Sequence, residues 1–412
     1  MKISVNQQQL AQALKALKRN LNSRPSHPVL AGYLFDFHKD ALVVTAIGDK
    51  GFKDAFCRAT AKMPANVIDG PNADSSGIVV PSRGVTEIIG GLPKDSDVAL
   101  EIVKETNPTD KTKVNYNMVV SSGPLTTEVE GIDPDDFPSA VCVPDSSTKA
   151  PGPTVEVPAD IVSMALKGTL FAASKDPWKA ILSSVSFDLG ANGCLVVATD
   201  GHRLAHIMVE DFKVCDTFKV EIPRNIADQL SKLLGSNLKK LKGKFVKFAE
   251  TGAQTYEISY EGITLAFSKG EERYPGTAHL FPDRFKHTAK FNTKGLLEVL
   301  NRAEKVANLN NNVVKLTFEK GSDRVMVSAD KHNEFVGFDG LPEDERTPDT
   351  IGFNVQYLID GLKEISALGA EEVILSFNTP TTSAVIEPFV FNNLNVPFSG
   401  YRYLVMPVQI RS

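Results

Sequence analysis

The chain has 412 residues, 42% of them hydrophobic and 23% charged, with a formal net charge of −5. That length allows two to four domains, and the composition is that of an ordinary globular protein, which excludes collagen-like and low-complexity classes. No apolar run is long enough for a membrane-spanning helix, so no membrane role is expected.

The opening MKISVNQQQLAQALKALKR has no apolar core segment or cleavage site, so a secretory leader is not expected. Cys57, Cys142, Cys194 and Cys215 form no C-x-x-C pair or other metal spacing. This favours a reducing cytoplasm and predicts no metal site, no cofactor and no disulfide framework.

Taken in chain order, the predicted elements recur three times. The first run begins with an amphipathic helix carrying Leu10, Leu14, Leu17 and Leu21. A polar loop, an alternating strand, a turn and a second strand follow, ending in TAIGDK (45–50). The same order leads from PADIVSMALKG to ATDGHR (198–203), and from NTKGLLEVLNRAEKV to SADKHN (328–333). Each run has a second half built on the same grammar. VVPSRGVTEIIGGL, EIPRNIADQLSKLL and IGFNVQYLIDGLKEI each read as a short strand, a helix-start signal and an amphipathic helix, with alternating strands after them.

The first two copies close with DDFP (135–138) and ERYP (272–275), and the stretches 144–154 and 282–290 read as linkers. The expectation is an α+β protein of three domains, 1–146, 147–286 and 287–412, each with two helices packed on antiparallel sheets.

With one helix stripe buried on a sheet, the opposite stripe is free to carry function. It holds Lys15, Lys18 and Arg19 in the first copy, Lys232, Lys239, Lys240, Lys242 and Lys244 in the second, and Lys294, Arg302, Lys305 and Lys363 in the third. Acidic residues gather elsewhere, as at Asp133, Asp135 and Asp136. A single basic helix face is ordinarily just solvated. Recurrence across repeats, without interleaved aromatics, points instead to sequence-independent contact with phosphates.

Five motifs lie in order on this repeat: SRPSHPVL, ATDGHRLA, RYPGTAHLFP, IGFNVQYLIDGL and the terminal YLVMPV. Through them the chain resembles, over essentially its whole length, the bacterial sliding-clamp family, the beta subunits of DNA polymerase III. The resemblance implies a head-to-tail homodimer closed into a ring, helices lining the hole, that encircles double-stranded DNA and tethers polymerases without catalysing a reaction. It also implies as partners a clamp loader, the catalytic subunit of DNA polymerase III, other polymerases, and DNA ligase or mismatch-repair proteins. The location it implies is the cytoplasm, at the nucleoid during replication.

Matched motif by motif, the resemblance implies a pocket for partner peptides formed by Leu182, Thr199, Gly201, His202, Arg203, Leu204, Pro275, His279, Leu280, Ser383, Leu404, Val405, Met406, Pro407 and Val408. It implies DNA contacts at Arg24, Arg83, Lys175, Lys179 and Arg224, and a dimer joint at Thr127 and Val129 on one side with Lys305 and Val306 on the other. The chain departs from the family pattern at His279, where an arginine is common. It departs again at Asn225, at Lys305, in the Ser174–Lys179 loop and in the tail after Val408.

Two rival readings follow. Asp200 and His202 could be an acid–base pair of an enzyme, although no nucleophile or metal partner accompanies them. The departures could alternatively mark a divergent clamp paralogue with altered partners.

Overall fold

The computed structural model describes all of the chain except residues 22–24, 26, 49–56, 70–75, 107–113, 139–151, 177, 252–254, 271, 308–310, 320–321, 341–348, 392–399 and 411–412. Arg24 and most of the expected 144–154 linker therefore lie outside the described residues.

The first repeat contains β1 (Lys2–Asn6), α1 (Gln7–Leu17), β2 (Gly32–Phe37), β3 (Ala41–Gly48) and β4 (Cys57–Pro64). A short β5 (Asn66–Asp69) precedes its second half, β6 (Ser76–Pro81), α2 (Ser82–Gly91), β7 (Asp97–Thr106), β8 (Val114–Ser122) and β9 (Leu125–Gly131). The second repeat comprises β10 (Thr154–Pro158), α3 (Ala159–Thr169), β11 (Ser184–Gly190), β12 (Gly193–Thr199) and β13 (Arg203–Val209). It continues through β14 (Phe218–Pro223), α4 (Arg224–Leu234), α5 (Leu238–Leu241), β15 (Phe245–Glu250), β16 (Thr255–Tyr260) and β17 (Ile263–Ser268). The third has β18 (His287–Asn292), α6 (Thr293–Ala307), β19 (Val313–Phe318), β20 (Arg324–Ala329) and β21 (His332–Gly337). After a two-residue β22 (Asp339–Gly340) come β23 (Asp349–Asn354), α7 (Val355–Ala367), β24 (Ala370–Phe377), β25 (Ala384–Phe391) and β26 (Gly400–Val405).

Helix boundaries follow local chemistry. Asn6 caps α1 by accepting from the Gln9 amide, and Asn354 caps α7 by accepting from Gln356 and Tyr357. Leu10, Leu14 and Leu17 are fully buried, but α1 ends at Leu17 and a 3-10 turn follows, so Leu21 lies beyond the expected stripe. The cause is Asn20, whose buried amide donates to the carbonyls of Ala46 and Cys57 and fixes the chain against β3 and β4. Along α7, Gly361 lets the helix approach Tyr403, whose ring would overlap any Cβ there.

The chain divides into two compact units, Met1–Ala159 with Gly243–Lys269, and Asp160–Lys242 with Gly270–Ser412. Sheet continuity explains why two units are formed from three repeats. In the first unit an eight-stranded sheet runs β10-β15-β16-β17-β4-β3-β2-β6, so β17 of the second repeat pairs antiparallel with β4 of the first. In the other unit a nine-stranded sheet runs β14-β11-β12-β13-β26-β25-β24-β18-β22, joining β13 of the second repeat to β26 of the third.

Both junctions use the same pair of positions: the third strand after the helix of a first half meets the third strand after the helix of a second half. A five-stranded sheet, β5-β1-β7-β8-β9, and a four-stranded sheet, β21-β20-β19-β23, complete the set. Their edges β9 and β21 occupy the corresponding positions, and each is an outer strand of its sheet.

Candidate functional site

The residues around the β13–β26 junction form an apolar floor. Leu204 and Leu404 face one another across the ladder, and Val197, Tyr274, Phe281 and Val385 pack with them, all buried. Ile181, Leu195 and Phe285 pack against the margin of this cluster. Each such buried aliphatic or aromatic side chain stabilises by about 1.5–3 kcal/mol, so this floor is rigid.

Above the floor stand side chains that nothing in the unit covers. Leu280 is 46% exposed and Met406 41%, and Pro275, next in sequence to the buried Tyr274, is exposed as well. Large apolar side chains left in water next to a rigid apolar floor make a surface suited to another chain's apolar residues.

The turn from β12 to β13 forms one wall. The Tyr274 hydroxyl accepts from the Thr199 amide at 2.9 Å, while the Thr199 hydroxyl donates to the Arg203 carbonyl and accepts from the Gly201 amide. Gly201 sits at φ +94°, a conformation L-residues avoid, so the turn depends on glycine there. Asp200 accepts from the amides of His202 and Arg203 and from the Arg203 guanidinium at 2.9 Å. That geometry answers the acid–base reading: the Asp200 carboxylate is engaged in holding its own turn, and the His202 ring stacks on Tyr357. No group of three or more potential metal ligands occurs among the described residues.

Arg203 is the hinge of this wall. Its side chain is buried, with Asp200 on one side and Asp360 at 2.8 Å on the other, and Tyr357 packs against the guanidinium at 4.5 Å from its ring centre. Burial alone would lower its pKa, but Tyr403, Asp360 and Asp200 outweigh that and raise it. Burial likewise raises the Tyr274 and Tyr403 hydroxyls, so both stay neutral hydrogen-bonding groups.

The expected pocket residues fall into place unevenly. Thr199, Gly201, His202, Arg203, Leu204, Leu404 and Val405 share the β12–β13–β26 surface, and Met406 is tied to it by its amide donating to the His202 carbonyl. Ser383 precedes Ala384, which pairs with Val405. Pro275, His279 and Leu280 are exposed positions on the 273–282 segment, whose Tyr274 and Phe281 are buried, and Leu182, half-buried, follows Ile181 of the margin. Pro407 is half-buried, and Val408 turns away to donate to the Gly352 carbonyl on β23. Sequence reasoning missed Tyr357 and Asp360. Their three-residue spacing on α7 puts both on one helix face, within a motif already singled out.

The expected DNA contacts differ among themselves. Arg83 is exposed at the start of α2. Lys175 and Lys179 are exposed on a loop pinned by its own hydrogen bonds, with Trp178 93% exposed between them. Arg224 is half-buried, and its guanidinium donates to the carbonyls of Leu170, at 2.9 Å, and Ala173, capping the segment after α3. Burial, then the nearby Arg203, lowers its pKa. Several of the basic helix-face residues are also paired: Lys232 with Asp228, Lys244 with Glu261, and Arg302 with Glu334. On the outer strand β9, Thr127 is exposed and Val129 half-buried. Lys305 is exposed and Val306 half-buried on α6, which also supplies Arg302 to β21.

Comparison with known proteins is consistent along the whole chain. Residues 1–140 match the model of the DNA polymerase III beta subunit N-terminal domain, 156–264 that of the central domain and 278–406 that of the C-terminal domain. Among curated relatives, the beta sliding clamp of Synechococcus elongatus is 28% identical over 418 residues, covering all of both chains, and that of Bacillus subtilis is 24% identical, covering 96% of each. Among solved structures, the DNA polymerase III beta subunit of Thermotoga maritima superposes with a TM-score of 0.80 at 21% identity. The sliding clamp of Pseudomonas aeruginosa bound to griselimycin gives 0.79 at 20%, each over the full length of both chains. None of these comparisons favours a divergent paralogue. With three successive domain models matched in order and the fold shared end to end, the chain belongs to the DNA polymerase III beta subunit family, the bacterial beta sliding clamps.

Proposed function

We propose that this chain is a DNA sliding clamp: a processivity factor, not an enzyme, that encircles duplex DNA and tethers the replicative polymerase. The observation that carries this reading is the pair of unmatched edges. Two of three equivalent strand junctions are closed within the chain, β17 to β4 and β13 to β26, while β9 and β21 hold the same positions unpaired at their sheet edges. A second copy, head to tail, closes both remaining junctions at once and leaves no open edge at the joins. Thr127, Val129, Lys305 and Val306 then lie at the joint.

Retention on DNA by topology lets phosphate contact stay weak, as sliding requires. Arg83, Lys175 and Lys179 are the contacts best supported, since all three are exposed; Arg224 has fewer free donors, and Arg24 rests on its motif alone. The β13–β26 surface is the docking site for peptides of the DNA polymerase III catalytic subunit, other polymerases, the clamp loader, and ligase or mismatch-repair proteins. The three domains take the bounds 1–146, 147–286 and 287–412, in keeping with the three matched segments. A replication role of this kind implies the bacterial cytoplasm, with recruitment to the nucleoid while DNA is copied.

The test is retention on nicked circular duplex after loading by the cognate loader. The protein should remain on the circle and dissociate once the circle is cut; equal loss from both substrates sinks the reading.

A further inference from the structure

Tyr401 and Tyr403 of β26 turn to the helix side, where their hydroxyls donate to the carbonyls of Gly168 and Tyr357. Strand alternation therefore puts Arg402 on the opposite face together with Leu404, the face that carries the apolar floor. Two residues along a strand separate them by about 7 Å. Phe281 spans that interval. It packs with Leu404 in the floor, and its ring centre lies 5.6 Å from the Arg402 guanidinium and 5.3 Å from the His206 ring. Arg402 thus stands at the rim of the floor, behind one of its walls.

The surroundings of Arg402 repeat most of what surrounds Arg203 on the other face of the same ladder. Arg203 has a carboxylate at its Nε (Asp200, 2.9 Å), a second at its Nη1 (Asp360, 2.8 Å) and the Tyr357 ring against its guanidinium; its side chain is 6% exposed. Arg402 has a carboxylate at its Nε (Glu387, 3.3 Å) and the Phe281 ring against its guanidinium. It meets no second carboxylate among the described residues, and its side chain is 49% exposed. A guanidinium is permanently charged and offers its donors in a fixed planar fork. Held by Glu387 and Phe281, this fork has less freedom to lose when a ligand arrives.

We infer that Arg402 is a specificity determinant of the docking surface: its terminal nitrogens take a carboxylate of the bound peptide, from an Asp or Glu two residues away from the apolar residue seated over Leu404. This rests on the docking surface proposed above and names one chemical feature of its ligand. In an extended peptide, side chains two residues apart share a face at about 7 Å, the same interval that separates Arg402 from Leu404. The peptide carboxylate gives Arg402 the second partner that Arg203 finds in Asp360. A phosphate is the poorer ligand, because its second charge adds repulsion from Glu387. A lysine at that peptide position meets like charge.

The probes are fluorescein-labelled, C-terminally amidated heptapeptides with a single Leu-Phe pair in serine. One carries Glu two residues before the leucine, another Glu two residues after the phenylalanine, and each has Gln and Lys counterparts. In anisotropy titrations of the full chain, one Glu peptide should bind about threefold or more tighter than its Gln counterpart, with the Lys peptide weakest and the margin shrinking as salt rises. Arg402→Ala should abolish the preference, Arg402→Lys should keep part of it, and Arg402→Glu should reverse it. Glu387→Gln, which removes the competing carboxylate, should widen it. An arginine that served only to hold Phe281 in place would, on replacement, shift all the peptides by one factor; a preference that survives Arg402→Ala therefore overturns the proposal. Equal binding of the Glu and Gln peptides by the unaltered chain also overturns it and leaves the docking surface standing. Failure of every peptide to bind the folded chain overturns the docking surface and this assignment with it.

Discussion

Arg203 and Asp360, 157 residues apart in sequence, are joined by a charge-assisted hydrogen bond of 2.8 Å that ties the start of β13 to helix α7. Asp360 also accepts from the Gln356 side-chain Nε2 at 2.7 Å, so the carboxylate is held from two sides. Removing it as Asp360→Ala leaves the buried guanidinium with one carboxylate partner, Asp200, in place of two. Stability should fall by about 1–3 kcal/mol in chemical denaturation, and peptide affinity should fall with it, because the turn bearing His202 loosens. Asp360→Asn, which keeps an acceptor, should lose less of both.

The apolar surface above Leu204 and Leu404 should behave as a binding hot spot. Met406→Ala and Leu280→Ala each remove a side chain that is exposed in the free protein. Each should weaken binding of a fluorescent polymerase-derived peptide by about tenfold or more, or roughly 1–3 kcal/mol, in anisotropy titrations. Sedimentation should show the dimer unaffected, since neither residue lies on β9, β21 or α6.

The loop holding Lys175, Trp178 and Lys179 should act through charge. Lys175→Ala/Lys179→Ala should reduce duplex binding at low salt without sequence preference. The slope of log affinity against log salt should shrink by about one for each phosphate that is no longer neutralised. An unchanged slope removes this loop from the DNA-facing surface.

Junction stability should depend on pH through His206. Its ring meets Phe281 edge-on at 5.3 Å and sits opposite Arg402 on β26. Burial first, and the Arg402 charge second, hold its pKa below the ordinary value. The unfolded chain therefore takes up this proton before the folded one. Stability is lost as pH falls below about 6.5, and the loss is complete once pH has passed the lower folded pKa. Urea unfolding at pH 7.5 and 5.5 should show a smaller difference in His206→Gln than in the unaltered chain.

The Gly201 turn gives a stability prediction with a defined cause. No atom would crowd a Cβ at Gly201, so Gly201→Val is penalised by its φ of +94° alone. A loss of about 1–3 kcal/mol is expected in denaturation, with the peptide surface distorted because the Thr199 and Asp200 hydrogen bonds close this turn.

The sequence by itself determined the threefold repeat, the α+β class and the family. Helix stripes such as Leu10–Leu14–Leu17, strand alternation and turn residues are local signals, written in the residues that use them. It also brought together most of the β13–β26 surface, because the quoted motifs already contain Thr199 to Leu204 and Leu404 to Met406.

Tertiary structure decided what pairs with what. That β13 meets β26, that Arg203 reaches Asp360, and that Arg224 turns inward to the carbonyls of Leu170 and Ala173 all depend on contacts between distant segments. Side-chain type alone does not specify these contacts, since an arginine reads alike on a free helix face and in a buried pair.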